Sequence, residues 1–231
     1  MKRKIYSDNL KKMTAVAMFA ALAYIVSVLC GYFPKIAGFL SLDFKDAIIV
    51  ICALAFGPVS ALPIAVLVPL LEMFTISTTE WYGLVMNILS SATFVLVTGF
   101  VYKCKRNFYG AIVALVSGVF SVAAVMMLAN LFITPLYLTY VVGVPSTMSD
   151  IVAMMPGILL PFNLIKALLN GALVLLFYKP FTTVLKGTGF MQKKSDENHA
   201  DKKFSLRSLM VSLIALAIII ASLCVMFFVL K

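Results

Sequence analysis

Apolar residues run unbroken over helix-length stretches of this chain, at roughly 13–33, 46–73, 82–102, 108–132, 151–178 and 207–230. An α-helix needs ~20 such residues to cross a bilayer, so each run predicts a membrane helix. The second run is longer than the rest and fits either one tilted helix or two short ones joined at Gly57-Pro58. Glycine ends helices readily, and proline starts them well but is costly inside one, which favours a break at that pair.

The charge between the runs supports the same division. With the second run split, the basic clusters at 2–12, 103–107 and 179–207 all fall on one side. The excess of lysine and arginine on cytoplasmic loops makes that side the cytoplasm. The opposite loops, at roughly 34–45, 74–81 and 133–150, contain Lys35 and Lys45 but otherwise acids or no charge. Left unsplit, the run would put the 103–107 cluster outside. The pattern predicts an all-α integral membrane protein whose N-terminus is cytoplasmic, with a six-transmembrane-helix body over 1–185. A charged cytoplasmic linker over 186–206 and an additional C-terminal transmembrane helix over 207–231 follow. The linker, MQKKSDENHADKK in its centre, has little to pack and is expected to be exposed and mobile. The terminal helix carries no charge within its apolar run and reads as an anchor ending outside. The run after Lys12 lacks a small-residue cleavage site of the usual kind and reads as a retained first helix.

Composition sharpens this picture. Of 231 residues, 63% are hydrophobic and 12% charged, against roughly 45–50% and 25% in a soluble domain. That leaves too little polar surface to cover a globule in water. The net charge of +10 forms no basic stripe with interleaved aromatics, so it points to topology and anionic lipid, and to no nucleic acid. Cys30, Cys52, Cys104 and Cys224 show no paired spacing, and three lie in apolar runs, where a thiol is usually a small buried side chain. The single histidine, His199, sits in the linker, so metal chemistry and histidine catalysis have little to work with. No metal site and no catalytic residue is expected.

Polar groups inside a bilayer are costly and are functional candidates for that reason. In the sixth run, PFNLIKALLNGALVLLFY, Asn163, Lys166 and Asn170 fall at i, i+3 and i+7 on one helix face. Lys166 has two readings: it snorkels to the outer interface, or it joins the amides in a ligand site; their alignment favours the second. Asn130 in the fifth helix and Glu72 at the end of the third lie at a similar depth. Each also has a structural reading, Asn130 as a bond between helices and Glu72 as an interfacial acid. Together with Asn163 and Lys166 they can converge on one outward-facing pocket. Asn87 in the fourth helix is a fifth candidate. The first external loop, YFPKIAGFLSLDFKDA, can fold as a cap, with Phe39, Leu40 and Phe44 as apolar walls. Of its acids, Asp43 remains a candidate for the site, and Asp46 is read as a cap of the second helix. On the first helix, Ala17 and Ala21 with Ala20 beside them form a small-residue face, suited either to internal packing or to the approach of a partner helix.

LSLDFKDA, AFGPVSAL, LANLFITPLY and PFNLIKALLNGALVLLFYKP, in this order over roughly 10–185, resemble the riboflavin-binding S component of the energy-coupling factor (ECF) vitamin transporters. The resemblance implies a six-helix body with a vitamin pocket near the outer face, closed by the first loop. It implies flavin contacts at Glu72, Asn130, Asn163 and Lys166. It also implies that the Ala17–Ala21 face packs on a transmembrane energising subunit working with two cytoplasmic ATPases. The chain has no G-x-x-x-x-G-K-[ST] loop of its own. Riboflavin is then a transported substrate and no cofactor is implied. The terminal helix departs from the family pattern. No arginine lies in the body near the outer face, so phosphorylated flavins are expected to bind poorly. The alternatives are an S component for another vitamin, a stand-alone carrier, and an intramembrane enzyme. Against the carrier, no internal repeat is evident. Against the enzyme, Ser90, Ser91, Ser117 and Ser121 have no histidine within any span to activate them.

Overall fold

The computed structural model describes residues 2–33, 35–187, 213, 215–222 and 224–225. The elements are α1 (Lys2–Cys30), α2 (Lys45–Phe56), α3 (Pro58–Thr75), α4 (Glu80–Cys104), α5 (Phe108–Tyr137), α6 (Met148–Met154) and α7 (Leu160–Gly187). A π-helical turn (Leu138–Val142) extends α5, and a second (Met155–Leu159) joins α6 to α7. Positions 213, 215–222 and 224–225 are helical too. The 186–206 linker lies almost entirely outside the described residues, as does much of the predicted terminal helix.

The second apolar run divides where expected. Gly57 adopts φ 94°, a conformation that favours glycine, and Pro58 follows at the first position of α3. The two halves are unequal. At 12 residues, α2 is about 18 Å long, well short of a ~30 Å hydrocarbon core. Among the described residues five helices are long and apolar enough to cross a membrane, and α2 is not one of them. Nearly all of α2 is buried, and it packs against α1, α3, α4 and α7. It is the axis of the body, and the other rods stand around it.

The predicted outer loops shrink for a physical reason. The fifth rod runs on to Val142 and the next begins at Met148, so a loop expected over 133–150 is reduced to 143–147. Pro135 lies inside α5, near its end, and Pro156 lies within the second π turn, so neither ends its rod. Gly143 (φ 80°) ends the first rod, and a Thr147–Asp150 capping box starts the second. Helix spacing is tightest where side chains vanish: a Cβ on Gly99 would stand 2.6 Å from Pro58, and one on Gly118 would stand 2.8 Å from the Phe94 ring.

Large apolar side chains such as Met18, Phe74, Phe120, Leu128 and Phe132 point outward. An apolar skin on this scale requires lipid rather than water. Polar residues turn inward instead: Ser27, Glu72, Ser91, Asn130, Asn163 and Asn170 are all buried.

Candidate functional site

The loop between α1 and α2 folds over one end of the bundle as a small hairpin. Ile36 and Leu40 exchange two backbone hydrogen bonds of 2.8 and 2.9 Å. Ala37 (φ 50°) and Gly38 (φ 81°) make the reversal between them. Phe39 at the tip places its ring 5.9 Å from Tyr137 on α5, and Tyr137 in turn lies 6.1 Å from Tyr82 on α4. Three rings from three elements thus meet edge-on or tilted above the helices, a favourable aromatic arrangement. The Lys35 ammonium donates to the Thr78 hydroxyl and ties the hairpin to the α3–α4 loop.

Below the hairpin, its C-terminal stem enters a buried network of charge. Lys166 Nζ donates to Asp43 Oδ2 at 2.8 Å, and Lys45 Nζ donates to Glu72 Oε2 at 2.6 Å and to Asp43 Oδ2 at 3.5 Å. The Ser27 hydroxyl donates to Glu72 Oε1, Asn87 Nδ2 donates to Oε2 at 3.4 Å, and the Ser91 hydroxyl donates to Asp46. Burying these ions is costly, and mutual pairing offsets the cost. Burial alone would raise the Asp43 carboxyl; the Lys166 and Lys45 ammoniums outweigh it and hold the group below the ordinary carboxylate range. Asp43 Oδ1 is buried with no hydrogen-bond partner among the described residues.

Between hairpin and network lies a cavity whose free space, open mouth included, is about 630 Å³. Phe39, Leu40, Asn87, Asn130, Asn163 and Lys166 all line it, so six of the candidates read from the sequence converge there. Asn163 Nδ2 donates to Leu159 O at 2.8 Å, which fixes the amide so that no protein donor meets its Oδ1 among the described residues. Asn130 is held the same way, donating to Met126 O at 2.7 Å and accepting from Thr134 at 2.8 Å. It bonds within its own helix rather than to a neighbouring one. Each amide keeps donor or acceptor capacity for a ligand, and Lys166 keeps two N–H groups beyond its bond to Asp43. Tyr82, Met86, Met126, Tyr137 and Phe162 line the cavity as well.

Four candidates lie off the cavity wall. Glu72 faces Lys45 and reaches the cavity only through Asn87. Asp43 orients Lys166 from behind. Phe44 packs on the Phe33 ring at 6.2 Å. Asn170 is buried off the cavity with both donors used: its Oδ1 accepts from Ala47 N at 2.8 Å, and its Nδ2 donates to Asp43 O at 2.9 Å and Lys166 O at 3.0 Å. It thereby caps the N-terminus of α2 from another helix, satisfying a donor that the helix leaves free. The capping role expected of Asp46 does not hold. That side chain is buried against Ser91, and no side chain of α2's own N-cap residue, Phe44, caps the helix. Lys45 is the residue the sequence reading missed. It looks like a loop cation, but it is 1% exposed and joins two acids; its place at the head of an otherwise apolar helix was the available signal. The cavity-lining Tyr82 and Tyr137 were missed as well, because nothing in their spacing points inward. Among the described residues no cluster of histidine, cysteine or acids is placed to hold a metal.

On α1, the buried stripe is Ala15, Phe19, Ala23, Ser27 and Cys30, whereas Ala17 and Ala21 are exposed on the opposite side. Ala20 does not belong with them. It is half-buried and packs on the core cluster.

A family model described as the substrate-specific component of ECF transporters matches residues 11–178. The chain is 28% identical over 191 residues to a riboflavin transporter, RibU, of Staphylococcus aureus (strain TCH60), covering 80% of this chain and 97% of that protein. It is 27% identical over 165 residues to the riboflavin transporter FmnP of Bacillus subtilis (strain 168), covering 69% and 86%. A solved structure of the S component of a bacterial ECF transporter superposes with a TM-score of 0.63 at 27% identity, covering 77% of this chain and 99% of that one.

Proposed function

Because the chain belongs to the family of substrate-specific components of ECF transporters, we propose that it captures riboflavin at the outer face of a bacterial cell membrane for ATP-driven uptake. It is a multi-pass membrane protein and a transport component, not an enzyme. The observation that carries the reading is the convergence of Asn130, Asn163 and Lys166 on a cavity that aromatic and methionine side chains also line. Riboflavin has a flat ring system with an imide edge and a neutral polyhydroxyl tail. The ring suits the aromatic walls. Asn163 Oδ1 accepts from the imide N–H, and Lys166 and Asn130 donate to ring carbonyls and nitrogens. Asn87 and the hydroxyls of Ser41, Thr79 and Thr134 serve the tail. The names of the similar proteins support the same substrate.

Charge supports the orientation. Lys103, Lys105 and Arg106 lie at the junction of α4 and α5, at the opposite end of these helices from the 76–79 and 143–147 loops beside the cavity. Lys11 and Lys12 precede the first apolar run at the same basic end. With basic ends cytoplasmic, the N-terminus is inside and the cavity opens outward. Energy comes from partners: a transmembrane energising subunit meets the exposed Ala17–Ala21 face, and two cytoplasmic ATPases supply the hydrolysis that this chain has no phosphate loop to perform. In this reading residues 1–185 are the capturing body, 186–206 a cytoplasmic linker and 207–231 an additional membrane helix.

The test is uptake of labelled riboflavin by cells lacking their own riboflavin transport. Uptake that appears only when this chain and an energising module are expressed together supports the proposal. Uptake with this chain alone indicates a stand-alone carrier. No uptake with both in the membrane, while another vitamin is taken up, replaces the substrate.

A further inference from the structure

The terminal helix is docked, and its docking face touches the wall of the cavity. Among its described residues, Ala215 (1% exposed) and Ser222 (8%) are buried and Ile218 and Ile219 half-buried. These positions recur at helical spacing and form one stripe. Leu213, Leu216, Ile220 and Val225 lie on the exposed side. The two small residues bracket the isoleucines and allow a close helix approach. A helix that served only as a tether would show no such stripe.

What the stripe meets is specific. Ile219 packs against a cluster built from Leu42, Phe162 and Leu169, which is separate from the main core. Leu42 belongs to the stem of the hairpin, one residue before Asp43. Phe162 lines the cavity, one residue before Asn163. Leu40, the bridged hairpin residue that also lines the cavity, packs on the same cluster. Ile219 therefore packs, from outside the six-rod body, on a cluster to which both the closing loop and the start of the ligand-bearing helix contribute.

We propose that Ile219 is a positioning residue: docking of the terminal helix holds the hairpin closed over the cavity and slows the escape of the ligand. The hairpin is held by the Lys35–Thr78 bond, the Phe39–Tyr137 contact, its charged stem and the packing of Leu40 and Leu42 with Phe162 and Leu169. An added apolar contact behind Leu42 then acts mainly on the rate of opening. The effect on ligand rests on the riboflavin reading above, whereas the effect on the loop does not.

The experiment uses the full chain in nanodiscs with Ile219→Ala, Ala215→Phe, the conservative Ile219→Leu and the exposed-face control Ile220→Ala. Two readouts are taken: hydrogen exchange of the 36–44 amides without ligand, and dissociation of prebound riboflavin after dilution. Expected are faster exchange and about tenfold faster release for Ile219→Ala and Ala215→Phe, equivalent to about 1.4 kcal/mol. Ile219→Leu and Ile220→Ala should both stay near the parent. Unchanged exchange at 36–44 in both Ile219→Ala and Ala215→Phe overturns the inference. An equal rise in exchange over the whole body also overturns it, since that would mark a general loss of stability. If the parent binds no riboflavin, the proposed substrate fails while the exchange readout still decides this inference.

Discussion

Replacing Lys45 by methionine removes one charge from the most enclosed ion group in the protein and keeps nearly the same side-chain length. Lys45 is 1% exposed, lies 2.6 Å from Glu72 and 3.5 Å from Asp43, and both acids are buried. After substitution Asp43 still has Lys166, but Glu72 keeps only Ser27 and Asn87. An uncompensated buried carboxylate of this kind typically costs about 3–5 kcal/mol. Because two hydrogen-bond donors remain on Glu72, the lower end, about 3 kcal/mol, is expected for Lys45→Met. Glu72→Gln alone strands the lysine less completely, since Asp43 remains beside it. The double variant Lys45→Met/Glu72→Gln removes both charges and should recover a large part of the loss. The assay is reversible unfolding in mixed micelles followed by helical circular dichroism, run on all four members of the cycle. A coupling of about 2 kcal/mol between the two positions is expected, within the ~0.5–3 kcal/mol range for contacting residues. A Lys45→Met cost below about 1 kcal/mol, or a double variant as damaged as the sum of the singles, would refute the reasoning.

Asn163→Ala and Lys166→Ala should each weaken riboflavin binding by roughly 10- to 100-fold in a fluorescence titration, the loss of one or two charge-assisted or amide hydrogen bonds. Asn170→Ala should instead lower unfolding stability by about 1–3 kcal/mol, because it leaves the Ala47 N–H and the Asp43 carbonyl without their partner. Riboflavin affinity should hold steady from about pH 8 down to about pH 5 as far as Asp43 is concerned. Its carboxyl is held below the ordinary range, so its contribution is present above the unfolded pKa of ~3.9 and is lost only as pH falls through the lower folded value. Flavin mononucleotide should bind far more weakly than riboflavin, since Lys166, the cation on the cavity wall, is already paired with Asp43; competition titration checks this.

Much of the fold follows from local rules. Gly57-Pro58 breaks the second run because each residue has a strong backbone preference that no neighbour overrides. Asn163 and Lys166 share a face because three residues nearly complete a helical turn. Depth and lateral contact are a different matter. Asn170 extends the same face, but seven residues place it about 10 Å further along the helix, level with the start of α2. A helix that begins inside the body needs its free N–H groups satisfied there, and Asn170 is taken for that purpose. The same geometry explains Lys45 and Asp46. In the sequence they read as a loop cation and a capping acid, and only the position of the short α2 among four other helices makes them buried partners of Glu72 and Ser91. Loop length was overestimated at 133–150 because proline reads as a terminator, whereas the fifth rod runs past Pro135 and the next through Pro156. The small-residue face was legible as a face at Ala17 and Ala21; Ala20, a quarter-turn away, turned inward to the core.

The most direct measurement is titration of the purified, detergent-solubilised chain with riboflavin, following flavin fluorescence. The account predicts saturable quenching at about one flavin per chain, since Asn130, Asn163 and Lys166 converge on one and the same cavity. A folded, monodisperse preparation that leaves riboflavin fluorescence unchanged at every concentration would contradict it.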